Sequence, residues 1–136
     1  MTIYFLDSSA LVKRYVAEKG STWFHPLSPL PRETTLVVSR ITWVDLAAVL
    51  ESFQRDWDNQ YQVIELDESL ARSAADLLFR YSLRALDAIQ LASCLRLKRA
   101  VAALAADVVT LVASDDRLIA AAVGESVAIV NPAALE

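Results

Sequence analysis

Short unbroken apolar runs alternate along this chain with stretches in which apolar residues recur every three or four positions. Residues 3–6 (Ile3, Tyr4, Phe5, Leu6) read as a strand closed by Asp7-Ser8-Ser9, and Ala10, Leu11, Val12, Tyr15 and Val16 read as the helix that follows. Residues 36–39 form a second apolar run. Thr42 then opens a helix whose Trp43, Leu46, Leu50, Phe53 and Trp57 make one apolar face. Residues 63–66 predict a third strand, followed by a helix through Leu70, Ala74, Leu77, Leu78 and Tyr81. A helix over about 87–98 comes next, with Ile89, Ala92, Leu95 and Leu97 apolar. After the alanine-rich stretch 100–106, residues 110–114 read as a strand, 116–123 as a short helix and 127–130 as a last strand ended by Asn131-Pro132. Residues 25–31 hold three of the four prolines and read as a connecting loop. No internal repeat is visible. Strand runs without polar alternation, separated by helices, predict a three-layer α/β/α fold with a mostly parallel sheet of about five strands, covered on both faces.

Composition narrows the class. A chain of 136 residues, 55% hydrophobic and 22% charged, is expected to form a single domain over residues 1–136 with a substantial core, and is not a disordered or low-complexity segment. The only glycines are Gly20 and Gly124, which excludes a phosphate-cradling P-loop and a dinucleotide fingerprint. The net charge of −4 means that any nucleic-acid binding is local or metal-assisted. One cysteine, Cys94, and one histidine, His25, provide neither an internal disulfide nor a histidine-rich metal site. The amino-terminal run meets Asp7 early and has no basic preface. It therefore reads as a strand, not as a signal peptide or anchor, and a reducing cytoplasmic setting is expected.

The acids carry the candidate chemistry. Asp7 ends the first strand, Asp45 falls in the first turn of the second helix, Asp87 opens a helix, and Asp115 and Asp116 follow the strand at 110–114. All read as strand-to-helix junctions, which a parallel sheet gathers at its carboxyl edge. Each acid also has a plain explanation as a helix cap: Asp7 as a turn residue, Thr42 to Asp45 and Asp87 to Gln90 as capping boxes, Asp115 or Asp116 as the last cap. Taken together they point elsewhere. Two carboxylates about 4 Å apart repel by roughly 4 kcal/mol at an effective dielectric of 20, so a cluster calls for a cation. All-oxygen donors favour Mg²⁺ or Mn²⁺, ions that meet substrate phosphates.

With these residues in place, the chain resembles a PIN domain, in particular the small ribonuclease toxins of VapBC-type toxin–antitoxin pairs. The likeness lies in Tyr4-Phe5-Leu6-Asp7-Ser8-Ser9-Ala10-Leu11-Val12-Lys13, in Leu83-Arg84-Ala85-Leu86-Asp87-Ala88-Ile89-Gln90-Leu91-Ala92, and in Ala113-Ser114-Asp115-Asp116-Arg117-Leu118. It implies a Mg²⁺- or Mn²⁺-dependent endoribonuclease in which Asp7, Asp87 and Asp115 hold metal while a water attacks an RNA phosphodiester. Ser9 matches a hydroxyl position near metal or phosphate. Asp116 ranks below Asp115, because the family often has a non-acidic residue there. Asp45 stands where the family commonly has Glu. It is shorter by one methylene, about 1.5 Å, so a bridging water would complete its reach. The interval from Asp45 to Asp87 is also shorter than the family's usual one. A cognate antitoxin, an RNA substrate and a homodimer are the partners the likeness implies.

Two other readings stay open. The same fold could serve as a catalytically weak RNA- or protein-binding module, which the Asp45 position and the short middle segment motivate. A haloacid-dehalogenase-type phosphotransferase with an aspartyl nucleophile is disfavoured, because Ser9 stands two positions after Asp7 where a second Asp is needed. Lys13, Arg14, Arg40, Arg84 and Arg117 lie near the acids, and none is singled out as an RNA contact. Trp43 and Trp57 read as core or interface, and Cys94 as packing.

Overall fold

Side chains alternate between two faces along each strand, and both faces of this sheet are apolar. In the computed structural model, which describes residues 1–48, 50–103 and 108–135, five strands form one parallel sheet in the order β3-β2-β1-β4-β5. They are β1 Thr2–Leu6, β2 Thr34–Ser39, β3 Tyr61–Ile64, β4 Val108–Val112 and β5 Ala128–Val130. Ile3 and Phe5 of β1, Val37 of β2 and Leu111 of β4 join one core cluster, while Leu6, Leu36, Val38 and Val112 join the other. Helices α4 (Glu68–Arg80), α5 (Ala85–Ala102) and α6 (Asp116–Gly124) cover the first face. Helices α1 (Ser8–Tyr15), α2 (Arg40–Leu46) and α3 (Glu51–Gln60) cover the second. The expected three-layer α/β/α arrangement is therefore present, and among the described residues every strand pairing is parallel.

Local signals set most helix ends. Asp67 accepts from the Leu70 N–H at 2.8 Å and starts α4, and the Arg96 guanidinium forks onto the same carboxylate at 2.8 and 2.9 Å, tying α4 to α5. That pairing holds the Asp67 carboxyl down at about 2. Trp43, Phe53, Trp57 and Tyr61 stack at centroid distances of 5.1 to 6.3 Å, so the aromatic stripe packs inside the molecule. Cys94 is fully buried in the core under α5, as its apolar setting implies.

Four sequence expectations need correction. The helix expected from Thr42 through Trp57 is two helices, since Leu50 is extended (φ −123°, ψ 94°) before α3 begins; residue 49 lies outside the described residues. An apolar stripe reports the face of a helix but not a break in its axis. Thr42 does not open α2: Ser39 does, accepting from the Ile41 N–H at 3.2 Å. The third and fourth strands lie two residues earlier than expected, because pairing with β2 and β1 sets their register and both ends of each run are apolar. The proline-rich loop is partly regular, with a 3₁₀ helix over Ser21–Leu27 that contains Pro26.

Candidate functional site

From β1 the chain builds β2 and β3 on one side, then returns to place β4 on the other. The order therefore reverses between β1 and β4, and in such sheets the crevice beyond the carboxyl ends of those strands is where ligands bind. Asp7 directly follows β1, and its N–H donates to the Val112 carbonyl of β4 at 3.0 Å. Its carboxylate caps α1, accepting from the Ser9 N–H at 3.1 Å and from the Ser9 hydroxyl. The Ser9 oxygen in turn accepts from the Ser114 N–H at 3.0 Å, which ties the ends of β1 and β4 together through one side chain. Asp115 caps α6, accepting from the Leu118 N–H at 3.0 Å. Asp87 enters from α5 and Asp45 from α2. Asp7, Asp45, Asp87 and Asp115 line one cavity of about 280 Å³, together with Ser8, Ser9, Arg84 and Gln90. Asp116 is exposed at the start of α6 and does not line it.

Two acids sit differently from their expected places. Asp87 is reached from α4, across residues 81–84, and so stands at a helix-to-helix junction. The first cap of α5 is Arg84, which makes no side-chain capping bond, so the Asp87 to Gln90 capping box does not form. Asp45 lies in the second turn of α2 and is exposed, and with Ser39 as the cap the Thr42 to Asp45 box does not form either. Spacing alone suggests both boxes, but α2 and α5 each begin upstream of Thr42 and Asp87. Capping thus accounts for Asp7 and Asp115, and Asp87 reaches back to the Arg84 backbone N–H in the first turn of α5, which leaves Asp45 alone of the four without a capping role.

The charges are held against their own preference. Burial raises the Asp7 carboxyl to about 6; Ser9 opposes the shift, and the nearby Asp87 and Asp115 add to it. Asp87 is also raised, by burial first and then by Asp115, with Arg84 opposing. Its Oδ2 is buried and accepts no hydrogen bond. Among the described residues, no three acids are already drawn tightly enough together to hold an ion. The donor set still fits one: hard carboxylate oxygens, one of them orphaned, around a cavity with access to solvent.

A polar network beside the acids went unread in the sequence. Gln90, only 2% exposed, donates from Nε2 to Thr42 Oγ1 at 2.9 Å and to Ser8 Oγ at 3.3 Å; Ser8 donates to Asp45 Oδ2 at 2.9 Å. Gln90 Oε1 is left without a partner. The signal was available: Gln90 interrupts an apolar helix three residues after Asp87, which places the two on one face. Of the nearby cations, Lys13 pairs with Glu18, Arg14 donates to Tyr61 and Gln60, and Arg40 forks onto Glu65.

The family model of the PIN domain matches residues 4–124. Solved structures that share the fold include two that match along nearly the whole chain. One is a toxin–antitoxin complex from Klebsiella pneumoniae, matched with a TM-score of 0.64 at 20% identity over 95% of this chain and 97% of that one. The other is the crystal structure of VapBC2 from Rickettsia felis bound to a DNA fragment from their promoter, with a TM-score of 0.62 at 15% identity over 95% and 98%. No curated protein matches the chain in sequence.

Proposed function

This chain belongs to the PIN domain family, and from that premise we propose that it is a Mg²⁺- or Mn²⁺-dependent endoribonuclease, the toxin of a VapBC-type pair held inactive by a cognate antitoxin. One observation carries the reading. Carboxylates from four separate segments meet in one cavity at the point where strand order reverses, where one of them, Asp45, has no role in capping a helix and another, Asp87, keeps a buried oxygen without a hydrogen-bond partner. Asp7, Asp87 and Asp115 would hold the ion, with Asp45 reaching it through a water. The ion would supply charge neutralisation for the phosphodiester and a more acidic water.

The remaining work falls to the chain itself. Ser9 aims the Asp7 carboxylate and anchors it to Ser114. Ser8, backed by Gln90 and Thr42, fixes the direction of the Asp45 carboxylate. The Leu118 N–H holds one oxygen of Asp115 and leaves the other for the cavity. As proposed here, the protein acts in the cytoplasm as a single catalytic domain on RNA, and it assembles as a homodimer; among the described residues no helix is long and apolar enough to cross a membrane.

Asp7→Asn and Asp87→Asn are expected to abolish metal-dependent RNA cleavage while the protein stays folded. Cleavage at the wild-type rate by both variants, with EDTA controls, would remove these acids from the mechanism. A second reading, a weak or inactive PIN-like binding module, draws on the exposed Asp45 and on acids that stand apart. Purified wild type that binds RNA without cutting it in Mg²⁺ or Mn²⁺ would favour that reading.

A further inference from the structure

Of the five arginines that pair with aspartate or glutamate among the described residues, Arg40, Arg96 and Arg84 do so in contrasting ways. Arg40 forks onto Glu65 at 2.7 and 2.6 Å, and Arg96 forks onto Asp67 at 2.9 and 2.8 Å; each makes the two parallel bonds of a committed guanidinium–carboxylate pair. Arg84 makes no such pair. Its Nε lies 3.6 Å from Asp87 Oδ2 and its Nη2 donates one long hydrogen bond of 3.4 Å to Asp115 Oδ2, so it spans two carboxylates and forks onto neither. Asp87 Oδ2 still lacks a hydrogen-bond partner with the guanidinium beside it. The Arg84 side chain is 72% exposed, whereas those of Asp87 and Asp115 are 15% and 21% exposed, so the cation sits at the mouth and the acids sit within. Arg84 is also the residue immediately before α5, where its backbone is fixed by the helix start.

We infer that Arg84 is the resident counter-cation of the acid pair Asp87 and Asp115 and is exchangeable: it yields these carboxylates to a divalent ion and then holds a phosphate of the bound RNA at the mouth of the cavity. This rests on the reading of the acids as a metal site, and it adds a positioning residue to that site. The physical basis is competition for one charge. A loosely held guanidinium loses little when a divalent ion takes its partners, because exposed ion pairs contribute modestly. Once released, it remains tethered beside the site, with a planar set of donors that suits phosphate oxygens. The same side chain thus opposes metal binding and favours RNA binding, and its removal moves the two in opposite directions.

The test compares wild type with Arg84→Ala and Arg84→Lys. Mn²⁺ affinity is read by electron paramagnetic resonance of free ion, without RNA, and KM and kcat are read on one oligoribonucleotide at saturating Mg²⁺. Arg84→Ala is expected to bind Mn²⁺ about three- to tenfold more tightly, the range that one or two exposed ion pairs cover, and to raise KM with a smaller change in kcat. Arg84→Lys keeps the charge and should return Mn²⁺ affinity towards wild type while recovering KM only in part. Unchanged or weaker Mn²⁺ binding by Arg84→Ala overturns the counter-cation role, and an unchanged KM overturns the phosphate role. Wild type that binds Mn²⁺ but cuts no RNA defeats the nuclease reading and the phosphate role with it, while the Mn²⁺ comparison still decides the counter-cation role. Wild type that binds no Mn²⁺ defeats the metal reading and this inference together.

Discussion

At the scale of the residue, Asp7 joins two demands that normally oppose each other. It is almost fully buried, so its charge is costly, yet it caps α1 and faces two further acids. Its carboxyl rises from 3.8 to about 6, so the folded protein holds this proton more tightly than the unfolded chain does. The cost of the buried charge is absent below pH 4 and grows as pH rises to about 6, beyond which it is constant. Asp7→Asn, which keeps the capping oxygen, is therefore expected to be more stable than wild type at pH 7.5, by on the order of 2 kcal/mol, and to lose that advantage at pH 4. Thermal unfolding of both proteins at the two pH values checks this, and an equal difference at both would show that the Asp7 charge is not the cause. Metal binding needs the carboxylate, so Mn²⁺ affinity should fall as pH drops below about 6.

At the scale of the element, α2 shows how a helix delivers one acid without spending it on its own end. Ser39 caps α2, which leaves Asp45 in the second turn, held by Ser8 from α1. Asp45→Ala should then change stability by no more than about 0.5 kcal/mol, as for an exposed residue, whereas loss of a true cap costs about 1 kcal/mol. Its RNA cleavage should nevertheless fall, and Asp45→Glu, with the longer reach, should equal or exceed wild type. Chemical unfolding beside a cleavage assay separates these outcomes: a 1 kcal/mol loss with full activity would make Asp45 structural. Ser8→Ala removes the bond that orients Asp45, so it should lower cleavage in wild type but add nothing to Asp45→Ala. Additive losses would place Ser8 outside this network.

At the scale of the whole molecule, one motive for self-association changes and another takes its place. Trp43 and Trp57 read in the sequence as core or interface, and they stack within the molecule against Phe53 and Tyr61. Apolar side chains are exposed elsewhere: Phe79 is 91% exposed near the end of α4, and Val44 and Val123 exceed 60%. The expected mass in solution at micromolar concentration is that of two chains, read by light scattering, and a monomer across a tenfold dilution would end the homodimer proposal. The net charge of −4 bears on the antitoxin as well, since a cationic segment would meet both the overall field and the acids of the cavity. Co-purification from the native operon should yield a small companion with a basic segment, and its consistent absence would leave a free-standing nuclease.

Much of the fold and several of the candidate site residues could be read from the sequence, because they depend on local periodicity and on short motifs. Five apolar runs gave five strands, and Asp7 and Asp115 stood where a strand hands over to a helix. The break before α3, the two-residue shift of β3 and β4, and the caps of α2 and α5 could not be read, since each depends on register with a neighbouring strand or on the position of a helix axis. The grouping of the acids was foreseen only as a tendency of parallel sheets. Tertiary structure decided that Asp87 joins it from a helix-to-helix junction and Asp45 without capping anything, that Asp116 stays out, and that Arg84 bridges two of its members. The link from Gln90 through Ser8 to Asp45 shows in the sequence only as a polar residue in an apolar helix, because it joins three helices whose approach follows from how they pack on the sheet. Periodicity along a chain records which residues turn inward, whereas contacts between distant residues arise only when the sheet order brings their elements to one edge.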